Sequence, residues 1–459
     1  TDGGASYSIP SSASLVYRAE RYSYATGYIY LSSGTTVRLF IGSDGEVETV
    51  SMPTATSGTA VVASSGGSSA LSSFIKGLGV TGSYTLYKNG AEAAADDLAK
   101  YDVATYDAAN AAVLVSDRRI TGAIEAVYPS MDAPQTVTVA GVEYSVLESA
   151  QDDFSKLTLG RMVTLLLTTD AAVAAAETAS SYKSDMIGIL EENSDGTYTV
   201  SLPGGLSVSA EVSSAVEERY IGTLVSVKSS GSGRISVTPI SDSDAYGRLS
   251  ISEGTLGSYD LAAGAAIYEW AGRGYVREIS LDDIDWTDTV GAASISYAHV
   301  NSAGEVDIVL LNSVTGNSYT YGIASMTSGE GTFGSSTSLT VTNSEGSTGA
   351  LSGASGIRTG AFVGVAYTAA GAVADTVTLS GRSVERSDFV GSEYVDVDGT
   401  LYRISDDVQV YNTTTGTWYT DSASLGTALE QALAYSEDIT VYYDRDADNG
   451  GRIRVVTVA

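Results

Sequence analysis

The sequence predicts an all-β chain of tandem small β-modules, which are hairpin-based barrels or sandwiches of roughly 60–80 residues each. Seven times, with some variation, a small residue is followed three positions later by Val and then by another apolar residue. A turn rich in Gly, Asp, Asn or Ser follows and leads into a second strand. Period-two alternation around such a turn is typical of a half-buried β-hairpin.

The seven copies differ in how strictly they keep the spacing. The cleanest three place two glycines eleven positions apart, at Gly34 and Gly45, Gly222 and Gly233, and Gly360 and Gly371. Looser copies span residues 100–113 and 160–173, and related hairpins span 295–306 and 439–453. Successive copies begin 60 to 80 residues apart, so we expect a row of modules. The predicted divisions are 1–78, 79–176, 177–250, 251–322, 323–386 (with a Ser/Gly-rich loop) and 387–459.

Between the hairpins, individual elements follow from local composition. The first module is expected to hold strands at residues 15–17, 28–30, 37–40 and 47–50. Ser and Gly at 64–69 predict a linker or surface loop, and 323–356 is expected to be flexible or an edge region. Residues 170–181 could form a helix, but they overlap a predicted hairpin strand and are taken as strand plus coil. The final strand, 452–458, either closes its own sheet or is available to another chain.

Composition narrows the class of protein. The 459 residues contain no cysteine, which excludes disulfides, thiol catalysis and thiolate metal sites. A net charge of −31 argues against nucleic acid and anionic membranes as partners, and it favours divalent cations. No apolar run is long enough to cross a bilayer, and Thr1 is not preceded by Met or a basic leader. These features predict an exported product without membrane insertion.

Surface chemistry favours contacts between copies of the chain. Charged residues make up only 17% of the sequence, so few charges would be desolvated at a contact between subunits. Tyrosines number 30 against six phenylalanines, and Tyr combines an apolar ring with a hydroxyl that stays hydrated. The alternative is that this composition reflects compositional drift in an acidic set of secreted proteins and not contacts between copies.

Two acidic segments are candidate Ca²⁺ sites, and no other cofactor is predicted. Alternating carboxylates at Asp444, Asp446 and Asp448 resemble the start of a calcium loop, in which such oxygens converge on a hard cation. The segment departs from an EF-hand because Asn449 replaces the expected Gly and Val455 replaces the expected Glu. The second candidate comprises three aspartates, Asp282, Asp283 and Asp285. In both cases an acidic turn is the alternative.

Catalysis is not predicted. His299 is the sole histidine, lies in a predicted strand and is expected at the surface. Carboxylate pairs suited to glycoside hydrolysis are too numerous to choose among. Three tryptophans, Trp270, Trp286 and Trp418, could stack on sugar rings or pack in cores.

Several segments resemble the large surface proteins of anaerobic Firmicutes that carry S-layer homology modules. The resemblance lies in residues 86–90 with 100–106, in 268–276, and in 441–444 with 450–455. It spans most of the chain through weak local patterns and implies a secreted, wall-associated or self-assembling role. The helical S-layer homology module itself is not found in this sequence.

Together these features predict an extracellular structural protein at the bacterial cell surface that forms homo-oligomers or polymers, either a surface layer or a filament. The alternative is a monomeric adhesin or glycan-binding protein in contact with the cell wall. A carbohydrate-active enzyme is the third interpretation.

Overall fold

A computed structural model of the chain confirms the predicted all-β class. It describes residues 9–10, 13–17, 20–31, 37–41, 47–51, 59–178, 186–229, 233–331, 334–422, 425–436 and 438–459. The described residues form seven sheets in succession along the chain. Each sheet with its connections is called a module, and the modules span residues 14–51, 61–116, 119–178, 186–239, 249–312, 320–378 and 380–458.

Each of the seven repeated patterns corresponds to one module. In every case the pattern forms the hairpin made by two late strands of its sheet, so the predicted tandem hairpins are confirmed. The apolar face of such a hairpin cannot be buried by two strands alone. Earlier strands of the module therefore complete the sheet, and they do so in two different ways.

Modules 1, 2, 5 and 7 share one arrangement, an open sheet in which the last strand of the hairpin pairs in parallel with an earlier strand. Module 1 contains β1 Ser14–Tyr17, β2 Glu20–Ser23, α1 Tyr24–Gly27, β3 Arg38–Ile41 and β4 Val47–Ser51. Module 2 contains β5 Val61–Val62, α2 Gly67–Gly77, β6 Thr85–Lys88, β7 Ala91–Glu92, β8 Val103–Asp107 and β9 Ala112–Ser116.

Modules 3, 4 and 6 share a second arrangement, in which the strands follow the order 1-2-3-5-4, and among the described residues module 4 alone is a fully paired five-stranded barrel. Module 3 contains β10 Arg119–Tyr128, β11 Thr136–Val139, β12 Val142–Ser145, α3 Gln151–Phe154, β13 Met162–Leu167 and β14 Val173–Thr178. Module 4 contains β15 Met186–Glu192, β16 Tyr198–Leu202, β17 Leu206–Val212, β18 Leu224–Ser229 and β19 Arg234–Pro239. Parallel pairing of β17 with β19 closes module 4 completely.

Module 5 has the first arrangement, and module 6 has the second. Module 5 contains β20 Leu249–Ser250, β21 Thr255–Leu256, β22 Tyr259–Trp270, β23 Arg277–Ile279, β24 Thr289–Val290, β25 Ile295–Val300 and β26 Val306–Asn312. Module 6 contains β27 Thr320–Gly331, β28 Gly334–Asn343, β29 Gly346–Ser347, β30 Leu351–Ser352, β31 Phe362–Tyr367 and β32 Val373–Thr378. Single parallel bridges, Val146 with Val173 and Ser352 with Ala372, join the two ends of the sheet in modules 3 and 6.

Module 7 places the last strand of the chain at the centre of its sheet. It contains β33 Ser380–Val384, β34 Phe389–Val390, β35 Tyr394–Val397, β36 Thr400–Asn412, β37 Thr417–Trp418, α4 Ala428–Tyr435, β38 Ile439–Tyr443 and β39 Arg452–Val458. Strand β39 pairs with β38 on one side and β36 on the other, and all seven of its residues are buried. It therefore closes its own sheet and does not offer a free edge to another chain.

Other local expectations are wrong in part. Residues Tyr28–Tyr30 form a 3-10 turn, closed by the Leu31 amide donating to the Tyr28 carbonyl. The Ser/Gly-rich segment at 64–69 leads into α2, which forms because Ala70 and Phe74, one turn apart, are both buried. Within 323–356, β27 and β28 pair as a long hairpin. Residues 170–181 do contain the expected strand, β14.

The sheets also differ from the predicted divisions. Module 2 begins at residue 61, because β5 pairs with β8 across α2, so the interval 79–176 takes in most of two modules. Later divisions differ by two to nine residues, with 177 against 186, 251 against 249, 323 against 320 and 387 against 380. Among the described residues, no helix is long and apolar enough to span a bilayer.

Candidate functional site

Both predicted acidic segments lie at the contact between modules 5 and 7. The segment with Asp444, Asp446 and Asp448 follows β38, and the segment with Asp282, Asp283 and Asp285 follows β23. Arginines of module 7 bring the two segments together. The Arg452 guanidinium donates to the Asp283 carbonyl, with Nη1 3.7 Å from Oδ1 of the same residue. Arg403, Arg445, Arg452 and Arg454, with the groups they contact, are called the arginine junction.

Asp444 is the carboxylate at the centre of this junction. Its side chain is fully buried, its Oδ1 accepts from the Arg452 backbone amide at 2.9 Å, and its Oδ2 accepts from Arg454 Nε at 3.1 Å. The Tyr321 hydroxyl also donates to Oδ2, at 3.2 Å. Because a buried carboxylate is costly without such partners, these contacts account for an ionised group in the interior.

Arg454 connects module 7 to the segment between modules 5 and 6. Its Nη1 donates to Asn317 Oδ1 at 2.9 Å and to Ser405 Oγ at 3.0 Å, and its Nη2 donates to the Thr315 carbonyl. The guanidinium carbon lies 5.0 Å from the centre of the Tyr321 ring. A planar guanidinium can satisfy several acceptors in fixed directions, which Lys cannot do.

The segment around Thr315 is held from the other side by Glu269. This carboxylate is completely buried and accepts from the Thr315 amide and hydroxyl, each at 2.6 Å. Gly316 follows with a φ of 78°, and a Cβ there would lie 2.7 Å from both Arg454 Nη2 and Asp444 Oδ2. The close approach and the left-handed backbone both require glycine at this position.

The segment with Asp282, Asp283 and Asp285 forms an ion pair that is less buried. Arg403 Nη1 donates to Asp285 Oδ2 at 2.8 Å, and the buried Arg452 lies 4.0 Å from Oδ1 of the same carboxylate. Burial, together with the charges of Arg403 and Arg454, lowers the pKa of Arg452. Trp286 packs against Gly450 and so completes the contact between the two modules.

Four of the six predicted ligands are exposed, namely Asp282, Asp285, Asp446 and Asp448. The Asp446 carbonyl closes the turn by accepting from the Asn449 amide at 2.9 Å. Within the described ranges, no group of three or more Asp, Glu or His side chains is arranged to hold a metal ion. Calcium binding at these residues stays a prediction.

Sequence reasoning missed the arginines. In β39, Arg452 and Arg454 alternate with apolar residues, a pattern that usually indicates one solvated face of a strand. Here both arginines are buried because module 5 and the 313–321 segment cover that face. Two arginines on one side of a strand, in a chain with only 24 basic residues, were the available signal.

The other singled-out residues lie in packed positions. His299 is 9% exposed, and its Nδ1 lies 2.6 Å from Asp307 Oδ1, so the expected surface location is wrong. Trp270 Nε1 donates to Ser296 Oγ at 3.0 Å. The Trp418 ring lies 4.8 Å from the Tyr411 ring.

Apolar packing and backbone hydrogen bonds also join other modules. Modules 3 and 4 share one large core, and the Ser209 amide of module 4 donates to the Ala140 carbonyl of module 3 at 3.1 Å. Val276 of module 5 donates through its amide to the Gly222 carbonyl of module 4 at 2.7 Å. Its neighbour Tyr275 donates in the same way to a carbonyl of module 6.

Contacts between modules distant in sequence are also present. Asn89 of module 2 donates to the Ala263 carbonyl of module 5 at 3.1 Å. Arg38 of module 1 pairs with Asp107 of module 2 and Asp170 of module 3. These contacts connect parts of the row that are not consecutive, so the modules form a folded-back body and not a string.

The sequence matches no protein-family model and no curated protein.

Proposed function

We propose that this chain is an extracellular structural protein that self-assembles into a surface layer or filament on a bacterial cell. The proposal rests on one observation: buried hydrogen bonds hold the modules against one another. The arginine junction is the clearest example of such a contact. A building block of a regular assembly must hold its binding surfaces in fixed relative positions. Buried polar networks favour one arrangement of the modules over others.

Exposed apolar side chains supply candidate surfaces for subunit contact. Module 1 exposes Tyr28 and Ile29, and module 7 exposes Val390, Leu401 and Leu425. Contacts between different surfaces of identical chains produce open filaments when the rotation does not close a ring. The low charge content of the chain supports the same role, because fewer charges lose water at each contact.

Assembly is tested directly with the purified chain. We expect ordered polymers in negative-stain electron micrographs and a concentration-dependent mass by light scattering, with each contact burying on the order of 1,600 Å². A chain that stays monomeric at high concentration, with and without Ca²⁺, contradicts the proposal.

Glycan binding is the second candidate, and one hollow favours it. A space of about 270 Å³ between modules 5 and 6 is lined by Tyr275, Arg277, Ser318 and Tyr367, among others. The Ser318 hydroxyl oxygen is buried and has no hydrogen-bond partner in the described structure. A monomeric chain that binds neutral oligosaccharides, and loses that binding in Tyr275→Ala, would replace the assembly proposal with this one.

Calcium is expected to stabilise the chain or promote its assembly. The net charge of −31 makes the folded chain repel itself and its copies, and a divalent cation shared by exposed carboxylates reduces that repulsion. Melting temperatures should be higher in millimolar Ca²⁺ than in EDTA, with Mg²⁺ at matched ionic strength as the control for screening. Asp446→Asn with Asp448→Asn should remove the increase, whereas Asp195→Asn at another exposed turn should not. Equal melting in all conditions contradicts calcium binding.

A further inference from the structure

A lysine and an aspartate meet inside module 2 under unusual conditions. Lys88 ends β6, and Asp102 directly precedes β8. Their side chains are 2% and 0% exposed, and Nζ lies 3.2 Å from Oδ2. The amine and the carboxyl group are therefore in direct contact at a position that is closed to solvent.

The two carboxyl oxygens of Asp102 differ in their hydrogen bonds. Lys88 Nζ donates to the Asp97 carbonyl at 2.7 Å, and the Ala99 amide donates to Asp102 Oδ2 at 2.9 Å. The other carboxyl oxygen, Oδ1, is buried and has no hydrogen-bond partner among the described residues. Arg119 Nη2 lies 3.9 Å from it, which is beyond hydrogen-bond distance. A buried acceptor without a partner is rare and requires an explanation.

We propose that Lys88 and Asp102 become joined by an amide bond between Nζ and Cγ, an intramolecular cross-link that forms once module 2 has folded. The proposal extends beyond the assembly role and does not depend on it. With no cysteine in the chain, an amide is a covalent fastening available where a disulfide is not.

The reaction balances with no co-reactant. A proton passes from the Lys88 ammonium to the Asp102 carboxylate, the free amine adds to Cγ, and the bond from Cγ to one oxygen breaks. That oxygen leaves as water, carrying the first proton and a second from the nitrogen, and the amide nitrogen keeps one hydrogen. The carbon is neither oxidised nor reduced.

The surroundings favour each step. Burial raises the pKa of Asp102, which favours the neutral acid needed for addition, although the Lys88 charge acts in the opposite direction. As nitrogen adds to carbon, negative charge develops on oxygen, and the Arg119 guanidinium is near enough to stabilise it. Fixed contact between the two groups replaces a bimolecular encounter.

In the amide product, each remaining polar atom of the pair has a hydrogen-bond partner. Departure of Oδ1 removes the acceptor that has no partner. Oδ2 remains as the amide oxygen and keeps its bond from the Ala99 amide. The single hydrogen on Nζ continues to be donated to the Asp97 carbonyl.

Intact-mass spectrometry of the purified full chain tests the proposal. We expect a mass about 18 Da below that calculated from the sequence, which is the loss of one water. Trypsin should fail to cleave after Lys88 and should release residues 77–100 covalently joined to residues 101–118. A mass equal to the calculated value, with separate peptides, overturns the proposal.

Two variants identify the bond. Lys88→Arg should restore the full calculated mass, because guanidinium does not add to a carboxyl group, whereas Lys100→Arg at an exposed neighbour should keep the loss of water. Dehydration at an Asp-Gly pair, such as Asp195-Gly196, would also remove one water. A loss that persists in Lys88→Arg is assigned to such a site and contradicts the cross-link. The presence or absence of the joined peptides in the wild-type digest decides the question even if a variant does not fold.

Discussion

Replacing Arg454 with methionine is expected to lower the free energy of unfolding by about 3–5 kcal/mol, the usual cost of removing one partner of a buried ion pair. Methionine retains much of the side-chain volume but leaves Asp444 buried without its guanidinium. It also removes the donors to the Thr315 carbonyl and to Asn317. Chemical denaturation followed by circular dichroism measures the change.

Arg382→Met is the matched control in the same module. Arg382 is half exposed and lies 3.6 Å from an exposed carboxylate, Asp398, and pairs of this kind contribute about 0–1 kcal/mol. Adding Asp444→Leu to Arg454→Met should recover part of the loss, because the uncompensated charge is then removed. Equal, small effects of Arg454→Met and Arg382→Met would show that the arginine junction does not hold the modules together.

Gly141→Ala is expected to lower the free energy of unfolding by about 3 kcal/mol and to separate module 3 from module 4. This loss of stability is the sum of two effects. Gly141 has a φ of 77°, and a Cβ there would overlap the Ser209 carbonyl oxygen of module 4. About 1–2 kcal/mol follows from the left-handed backbone, and a further 1–3 kcal/mol follows from overpacking. Thermal and chemical unfolding report the total.

Gly160→Ala separates these two contributions. Gly160 lies in the same module with a φ of 79°, but a Cβ added there would have no atom within 4 Å. Only the backbone cost of about 1–2 kcal/mol should appear. If both variants lose the same stability, the contact between modules 3 and 4 is looser than the structure indicates.

Hairpins could be predicted from the sequence because their determinants are local. In the copy at Gly360 and Gly371, alternation and turn residues close together in the chain define β31 and β32. The helix α2 was not predicted, since its Ser and Gly content resembles a loop and its helical state depends on Phe74 being buried by distant strands. Tertiary packing overrides local preference there.

The candidate site was predictable only in part. Asp444 and Asp283 could be identified as members of acidic segments, but their partners in β39 lie 8 to 169 positions away. Sequence spacing carries no information about such long-range pairing. The parallel pairing of β39 with β36 is equally non-local, and it converts a terminal strand with a free edge into the centre of a sheet.

The modules are fastened into one body if the contacts between them are as stable as the contacts inside each core. Native-state hydrogen exchange at the amides of Ser209, Tyr275 and Val276 tests this, because each donates to a carbonyl of another module. We predict that these three amides exchange as slowly as amides inside the core strand β13. Fast exchange at all three, while β13 stays protected, would mean that the modules move as separate units and would contradict a single fastened body.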